Sequence, residues 1–184
     1  YAHPFERSCM GRNTDGAIYW RDVGTLDSFW QSNIDLVSEE PQLDIYDQTW
    51  PIRGNPTQTY PSKFFYNRPD CKHVDNSLIS GGCVIRNSSI SYSVLFDRIK
   101  INDGSVIEYS VVLPQVTIGK DCILRRCIVD RHCVIPDGMQ IGVDLDLDRQ
   151  RFRVSSGGVV LVTQGMLNKL KGEHNELPSE KHLD

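Results

Sequence analysis

Aliphatic residues recur every six positions across residues 76–142, and this period constrains the fold more than any other feature of the chain. A period of six fits neither an amphipathic α-helix, which repeats every 3.6 residues, nor a hairpin meander with a turn every 8–12 residues. It is typical of hexapeptide repeats, in which each hexad supplies one short parallel strand and one corner of a triangular β-helix. Four offset series carry it: Leu78, Val84, Ile90 and Phe96; Leu95, Ile101, Ile107 and Leu113; Val106, Val112, Ile118 and Leu124; and Ile123, Val129, Ile135 and Ile141.

The repeats therefore predict a mainly β fold built on a parallel β-helix over residues 76–142. Three hexads make a coil of about 18 residues, which gives between three and four coils. Valine, isoleucine, leucine and cysteine side chains should point inward. Glycines such as Gly104, Gly119, Gly138 and Gly142 suit the corners. A small antiparallel sandwich is the alternative, which the long run of hexad spacing disfavours.

Residues 1–38 indicate a strand, a tight turn and an amphipathic helix. The strand is predicted at residues 17–20, and Thr25 is a suitable N-cap for a helix that ends near Ser38. One strand and one helix cannot bury their apolar faces, so we expect this block to be the last part of an α/β domain. The chain begins at Tyr1 and not at methionine, which suggests a processed product or a piece of a longer protein.

The two remaining blocks flank the repeats. Residues 39–75 contain five prolines and predict an extended connector, anchored by Trp50 and by the aromatic run of Phe64, Phe65 and Tyr66. Residues 143–184 predict a C-terminal cap with a strand at 159–162, a short helix at 164–170 and a polar tail that frays beyond Gly172.

Composition excludes several classes of function. The formal net charge of −4 argues against a general nucleic-acid binder or a binder of anionic membranes, because both need a basic face. No apolar run reaches the roughly 18 residues that cross a bilayer. The six cysteines contain no C-x-x-C pair and three of them lie in apolar stretches, which predicts buried, reduced thiols in a cytoplasmic protein.

Three groups of residues are candidates for chemistry. Asp22 follows the predicted strand, where α/β enzymes place carboxylates that bind metal or substrate, although a plain turn residue is the alternative. Five basic residues could converge into an anion site or form a solvated face paired with nearby aspartates: Lys120, Arg125, Arg126, Arg131 and His132. Three cysteines could ligate a metal, but their spacing follows the coil and favours core packing: Cys122, Cys127 and Cys133.

Several motifs in order resemble one enzyme family. They are Tyr19-Trp20-Arg21-Asp22-Val23-Gly24-Thr25, then Trp50-Pro51-Ile52-Arg53, then Ser80-Gly81-Gly82-Cys83-Val84-Ile85, and then Leu124-Arg125-Arg126-Cys127-Ile128-Val129-Asp130-Arg131 followed by Cys133-Val134-Ile135-Pro136 and Gly138. Their order and spacing resemble the C-terminal part of bacterial glucose-1-phosphate adenylyltransferase, also called ADP-glucose pyrophosphorylase.

The resemblance implies a function for the whole enzyme. It would make ADP-glucose and pyrophosphate from ATP and glucose 1-phosphate with Mg²⁺, in glycogen biosynthesis in the cytoplasm, as a homotetramer. The nucleotide-binding machinery would lie in an N-terminal α/β domain, so this chain alone would be inactive. The C-terminal left-handed β-helix would serve assembly and allosteric control. Two other functions stay open: a stand-alone hexapeptide acyltransferase with His132 as its catalytic candidate, and a purely structural oligomerisation module.

The resemblance also implies roles for single residues. Asp22 matches the carboxylate of the sugar-nucleotide and Mg²⁺ site. Arg131 matches an arginine of the AMP inhibitor site, and Gln115 falls where the enteric enzymes carry a glutamate. The sugar-phosphate effector region would be Gln164, Gly165, Met166, Leu167 and Asn168. In that region Gln164 and Asn168 replace two arginines of the fructose 1,6-bisphosphate site, so we expect this bisphosphate not to be the strong activator here.

Overall fold

The computed structural model describes residues 19–48, 51–52, 58–67 and 74–173, and its N-terminal element is a helix held by a complete cap. Helix α1 spans Leu26–Ile34 and continues as a 3₁₀ turn over Asp35–Val37. Thr25 caps it: the Thr25 hydroxyl accepts a hydrogen bond from the Ser28 amide, and the Ser28 side chain accepts one from the Thr25 amide. The predicted helix is therefore confirmed. Residues 17 and 18 of the strand predicted at 17–20 lie outside the described residues, and Tyr19 and Trp20 form no strand.

The described residues form sixteen short strands. In chain order they are β1 Lys63–Phe65, β2 Val74–Asp75, β3 Leu78–Ile79, β4 Val84–Arg86, β5 Ser89–Ser91, β6 Val94–Leu95, β7 Lys100–Ile101, β8 Val106–Glu108, β9 Val111–Val112, β10 Thr117–Ile118, β11 Ile123–Arg125, β12 Cys127–Val129, β13 Val134–Ile135, β14 Gln140–Ile141, β15 Arg153–Val154 and β16 Val160–Val162.

These strands wind into a parallel β-helix with three sheets. The first sheet has the order β1-β4-β7-β10-β13, the second β14-β11-β8-β5-β2 and the third β15-β16-β12-β9-β6-β3. All pairs are parallel except β15 with β16. Strand β1 pairs with β4, so the solenoid starts inside the segment that was predicted to be connector. The backbone there can join the sheet because Pro61 precedes the strand and leaves its amides free to pair.

The regular coils contain seventeen residues, not the expected eighteen. Ser93 and Ser110 are seventeen residues apart on successive coils, as are Ser105 and Cys122. The shortening arises at the corner between the second and third sheets, where the inward residue Ile107 is followed five positions later by the inward residue Val112. The backbone turns at this corner through a left-handed residue, with φ of 49° at Tyr109.

The interior of the prism is a dry stack of aliphatic side chains. Ile101, Ile118 and Ile135 lie in register on one sheet and are at most 1% exposed. Leu124 lies in register between Ile107 and Ile141 on the next sheet, and all three are fully buried. Burial of one such side chain is worth about 1.5–3 kcal/mol, so each residue of the stack contributes on this scale to the stability of the solenoid.

Helix α1 packs on the outside of the third sheet. Trp30 is 5% exposed and contacts a cluster with Val111, Ile128 and Val159. Its indole Nε1 donates a 2.7 Å hydrogen bond to the Tyr109 carbonyl oxygen. The β-helix therefore supplies the partner surface that α1 needs.

The C-terminal end of the prism is closed by two helices. Helix α2 spans Leu145–Arg151 with Asp144 as its N-cap, and helix α3 spans Gln164–Glu173. Asp148 of α2 is fully buried, accepts the Gly142 amide at 2.7 Å and pairs with Arg151 at 2.7 Å. Leu167 of α3 is 1% exposed and joins the core. Helix α2 was not predicted from the sequence, whereas the strand and helix expected after residue 158 are confirmed; the tail from residue 174 lies outside the described residues.

Candidate functional site

One corner of the prism brings together most of the residues proposed to bind an effector. Gln115 occupies a left-handed corner position with φ of 62°, and the backbone of the next coil lies directly on it, because the His132 amide donates to the Pro114 carbonyl at 3.1 Å. Arg131 precedes His132 at this corner. Gln164 is the first residue of α3, and its side-chain Oε1 accepts a 2.8 Å hydrogen bond from the Val134 amide. We call Gln115, Arg131, Gln164 and Asn168 the Arg131 edge.

The Arg131 edge is open and carries one guanidinium group. The Arg131 side chain is 69% exposed and lies 4.0 Å from the Asp130 carboxylate, which is a weak surface pair. Gln164 and Asn168 are neutral, and the Gln164 side-chain amide donates to Asn168 at 2.8 Å. Met166 and Leu167 turn toward the core instead, and Gly165 is exposed. The edge can therefore accept one phosphate group on Arg131, with neutral amides beside it.

The five basic residues do not form one cluster. The tight corner between the second and third sheets carries Arg125, which pairs with Glu108 at 2.7 Å, and Arg126, whose guanidinium carbon lies 4.2 Å from the centroid of the Trp30 ring. Lys120 lies at a different corner, where its amide donates to Asp137 at 2.8 Å. These residues therefore do not converge into one anion site, because positions five or six residues apart fall on different corners of a β-helix. Of the two interpretations that the sequence left open, the arrangement favours a solvated face with nearby acidic partners.

Asp22 lies in an exposed turn before α1. Its Oδ1 accepts the Gly24 amide at 2.9 Å, which is the geometry of an ordinary Asx turn. In the ranges that the structure describes, no group of three or more histidine, cysteine, aspartate or glutamate side chains could hold a metal ion. These residues alone therefore do not fit a complete Mg²⁺ site, since Asp22 would be a single carboxylate ligand.

Four cysteines lie inside the solenoid as free thiols: Cys83, Cys122, Cys127 and Cys133. Burial raises the pKa of Cys127 to about 12 and that of Cys133 to about 11. Cys127 continues a column of small polar residues on successive coils, with the Ser110 hydroxyl 3.4 Å from its sulfur. The prediction that the cysteines within the repeats pack in the core is confirmed. Cys9 and Cys71 lie outside the described residues.

Sequence reasoning missed the contact between α1 and the C-terminal hairpin. Asp27 of α1 accepts hydrogen bonds from the Ser155 hydroxyl at 2.6 Å and from the Gly157 amide at 3.2 Å. These bonds, with Ser155 first, hold the pKa of Asp27 below its ordinary value. The partners are 128 and 130 residues apart in sequence, and the acidic first turn of α1 was the only local signal.

Comparisons with known proteins identify the fold family. Residues 60–162 match the family model described as GlmU-like, C-terminal hexapeptide. The chain belongs to this family. With the parallel coils described above, this match confirms the left-handed β-helix that the sequence resemblance implied.

Three of the curated relatives bear the same enzyme name. All 184 residues align with a glucose-1-phosphate adenylyltransferase of Pasteurella multocida at 79% identity and with one of Mannheimia succiniciproducens at 74%. An enzyme of the same name from Yersinia pseudotuberculosis is 49% identical over 174 residues, or 94% of the chain. The chain spans 42% of the length of the first two and matches their C-terminal portion. These names favour the nucleotidyltransferase over the acyltransferase and the oligomerisation module.

No helix in the described ranges has the length and apolar character needed to traverse a bilayer.

Proposed function

We propose that this chain is the C-terminal part of a glucose-1-phosphate adenylyltransferase, which makes ADP-glucose and pyrophosphate from ATP and glucose 1-phosphate. The observation that carries the proposal is 79% identity over all 184 residues to an enzyme of that name. The fold supports a division of labour, because the described residues provide a rigid β-helix and a docked helix but no phosphate-binding loop. Nucleotidyl transfer depends on positioned phosphates and metal, which the rest of the enzyme would supply.

Asp22 would contribute one carboxylate to the reaction centre of the complete enzyme. Its place in the turn before α1 exposes its oxygens to whatever packs against that end of the helix. Mg²⁺, when bound there, would neutralise phosphate charge, and its other ligands would come from outside the described residues. We further propose a homotetrameric, cytoplasmic enzyme. The four buried free thiols support a reducing compartment.

The Arg131 edge would be the effector site. Arg131 is exposed and only weakly paired, so its guanidinium group is available to a phosphate such as that of AMP, with Gln115 on the neighbouring coil beside it. Gln164 and Asn168 provide no second or third cation. Fructose 1,6-bisphosphate carries two phosphate groups and would therefore gain little here.

Turnover by the full-length enzyme tests the proposal. With ATP, glucose 1-phosphate and Mg²⁺, the full-length protein should release pyrophosphate, whereas the 184-residue chain alone should not. Asp22→Asn should reduce turnover, while Asp146→Asn, which alters a 91% exposed carboxylate in α2, should leave it unchanged. A full-length enzyme without turnover, or a chain that turns over alone, would contradict the proposal.

Effector assays on the same enzyme test the Arg131 edge. Arg131→Ala should weaken inhibition by AMP about tenfold or more, since a hydrogen bond to a charged group is worth about 1.5–3 kcal/mol. Arg149→Ala removes a comparably exposed arginine from α2 and should not alter inhibition. Fructose 1,6-bisphosphate should activate weakly. Strong, saturable activation that is lost in Gln164→Ala and Asn168→Ala would contradict this assignment.

A further inference from the structure

Helix α1 is fastened to the β-helix by four residues that close a ring, and we call Asp27, Trp30, Arg126 and Gly157 the clasp. Asp27 Oδ2 accepts the Gly157 amide at 3.2 Å, and the Gly157 carbonyl accepts Arg126 Nε at 3.2 Å. The guanidinium carbon of Arg126 lies 4.2 Å from the centroid of the Trp30 ring. Asp27 and Trp30 lie one turn apart on α1. The clasp therefore joins the helix, the tight corner of a coil and the C-terminal hairpin.

Further hydrogen bonds fix the clasp at both ends. The Ser155 hydroxyl donates to Asp27 Oδ1 at 2.6 Å and the Ser156 hydroxyl donates to Oδ2 at 3.4 Å. At the other end, the buried Trp30 indole donates to the Tyr109 carbonyl at 2.7 Å. Because a carboxylate and an aromatic ring on the same helix are both anchored, α1 can neither roll about its axis nor slide without breaking several contacts.

The clasp connects the turn that carries Asp22 with the hairpin that leads to the Arg131 edge. Asp22 is five residues before Asp27, in a turn that its own bond to the Gly24 amide and the Thr25 cap attach to α1. On the other side, the hairpin turn that holds Asp27 leads into β16, which pairs in register with β12. Gln164 lies two residues after the end of β16, and its side chain accepts a hydrogen bond from the Val134 amide. A displacement of α1 would therefore move Asp22 relative to the β-helix.

We propose that Asp27 is a positioning residue for the reaction: through the clasp it holds α1, and with it the Asp22 carboxylate, in a fixed place on the β-helix. The inference rests on the proposed function, since Asp22 acts at the reaction centre only in that enzyme. A misplacement of about 1 Å at a reaction centre can cost on the order of a hundredfold in rate. Asp27 acts on the rate without touching the substrates.

Steady-state kinetics of the full-length enzyme give the first test. Asp27→Ala should lower kcat/KM for glucose 1-phosphate about tenfold. Ser155→Ala removes the shortest bond to Asp27, leaves the helix sequence intact and should lower it by a smaller factor; it carries the test if Asp27→Ala does not fold. The control Asp146→Ala removes a carboxylate that is 91% exposed and should match the wild type. Wild-type kinetics in both Asp27→Ala and Ser155→Ala would overturn the proposal.

A double-mutant cycle separates positioning from a general loss of stability. If Asp27 acts through Asp22, the combined variant Asp22→Asn with Asp27→Ala should be no slower than Asp22→Asn alone. Independent effects would instead multiply, and multiplied losses would overturn the proposal.

Hydrogen exchange provides a readout that does not depend on turnover. In Asp27→Ala, amides of residues 26–34 should exchange faster than in the wild type, while those of β8 and β11 should be unchanged. If the wild-type enzyme proved inactive, the proposed function would fail while the clasp could still be judged by exchange. Unchanged exchange in α1 would overturn the clasp itself.

Discussion

Gly142 is the position where one added methyl group should damage the closed end of the solenoid most. Its φ is +74°, and its amide donates a 2.7 Å hydrogen bond to the buried carboxylate of Asp148. A Cβ at this position would overlap the backbone carbonyl of Arg125 on the preceding coil. Gly138 is a matched control, because its φ of +70° is similar but a Cβ there would meet nothing within 4 Å.

The two glycines allow the steric cost to be separated from the conformational cost. Alanine in the left-handed region costs about 1–2 kcal/mol, and both substitutions incur this cost. At Gly142 the overlap must also be relieved by backbone movement, which weakens a hydrogen bond to a charged group worth about 1.5–3 kcal/mol. Gly142→Ala should therefore lower the free energy of unfolding by about 2.5–5 kcal/mol, against about 1–2 kcal/mol for Gly138→Ala.

Urea denaturation of the two variants measures this difference. Midpoints should fall in the order wild type, Gly138→Ala, Gly142→Ala, with similar m-values. Equal losses in the two variants would refute the reasoning, because they would mean that the coil below Gly142 does not approach as closely as the structure shows.

Three further predictions follow from burial and charge. Ile135 is 1% exposed and its neighbour Val134 is 50% exposed. Ile135→Ala should therefore lower the free energy of unfolding by about 2–5 kcal/mol, and Val134→Ala by about 0.5 kcal/mol or less. Equal losses measured by urea denaturation would contradict the inward orientation of Ile135. Cys127 is fully buried, and its pKa is raised to about 12. Iodoacetamide at mildly alkaline pH should therefore not modify it until the protein unfolds. Rapid modification of the native protein, detected by peptide mass spectrometry, would contradict this. The pKa of Asp27 is lowered in the folded state, so at pH values above its ordinary pKa of 3.8 the ionised carboxylate stabilises the fold. This contribution to stability is lost as the pH falls through the lowered pKa. The Tm difference between wild type and Asp27→Asn should therefore shrink in strong acid, and a difference that stays constant would contradict the assignment.

The hexad period predicted the β-helix but not which residues face inward. In the series from Leu95 the spacing of six holds through Ile101 and Ile107, which are buried, and then reaches Leu113, which instead packs against α1. The true inward residue is Val112, because the tight corner shortens that step to five. Adjacent aliphatic pairs such as Val112 and Leu113 make the two registers equally plausible by spacing, and only the partner surface decides between them.

The long-range contacts were beyond sequence reasoning for a different reason. The clasp joins α1 to a hairpin about 130 residues away, and no local pattern reports that Arg126 stacks on Trp30. The left-handed φ of 45° at Arg126 could not be predicted from the sequence either, since arginine has no preference for that region. By contrast, the residues of the Arg131 edge were named only by the family resemblance, and the structure places Gln115 and Arg131 on successive coils at the same corner.

Transfer of the labelled α-phosphate of ATP is the most direct measurement of the central claim. When the full-length enzyme is incubated with ATP labelled at that phosphate, glucose 1-phosphate and Mg²⁺, the label should appear in ADP-glucose, with unlabelled pyrophosphate released in equal amount. Label that remains in ATP, or that leaves as free AMP with no sugar nucleotide formed, would contradict the assignment of this β-helix and its docked helix to a nucleotidyltransferase.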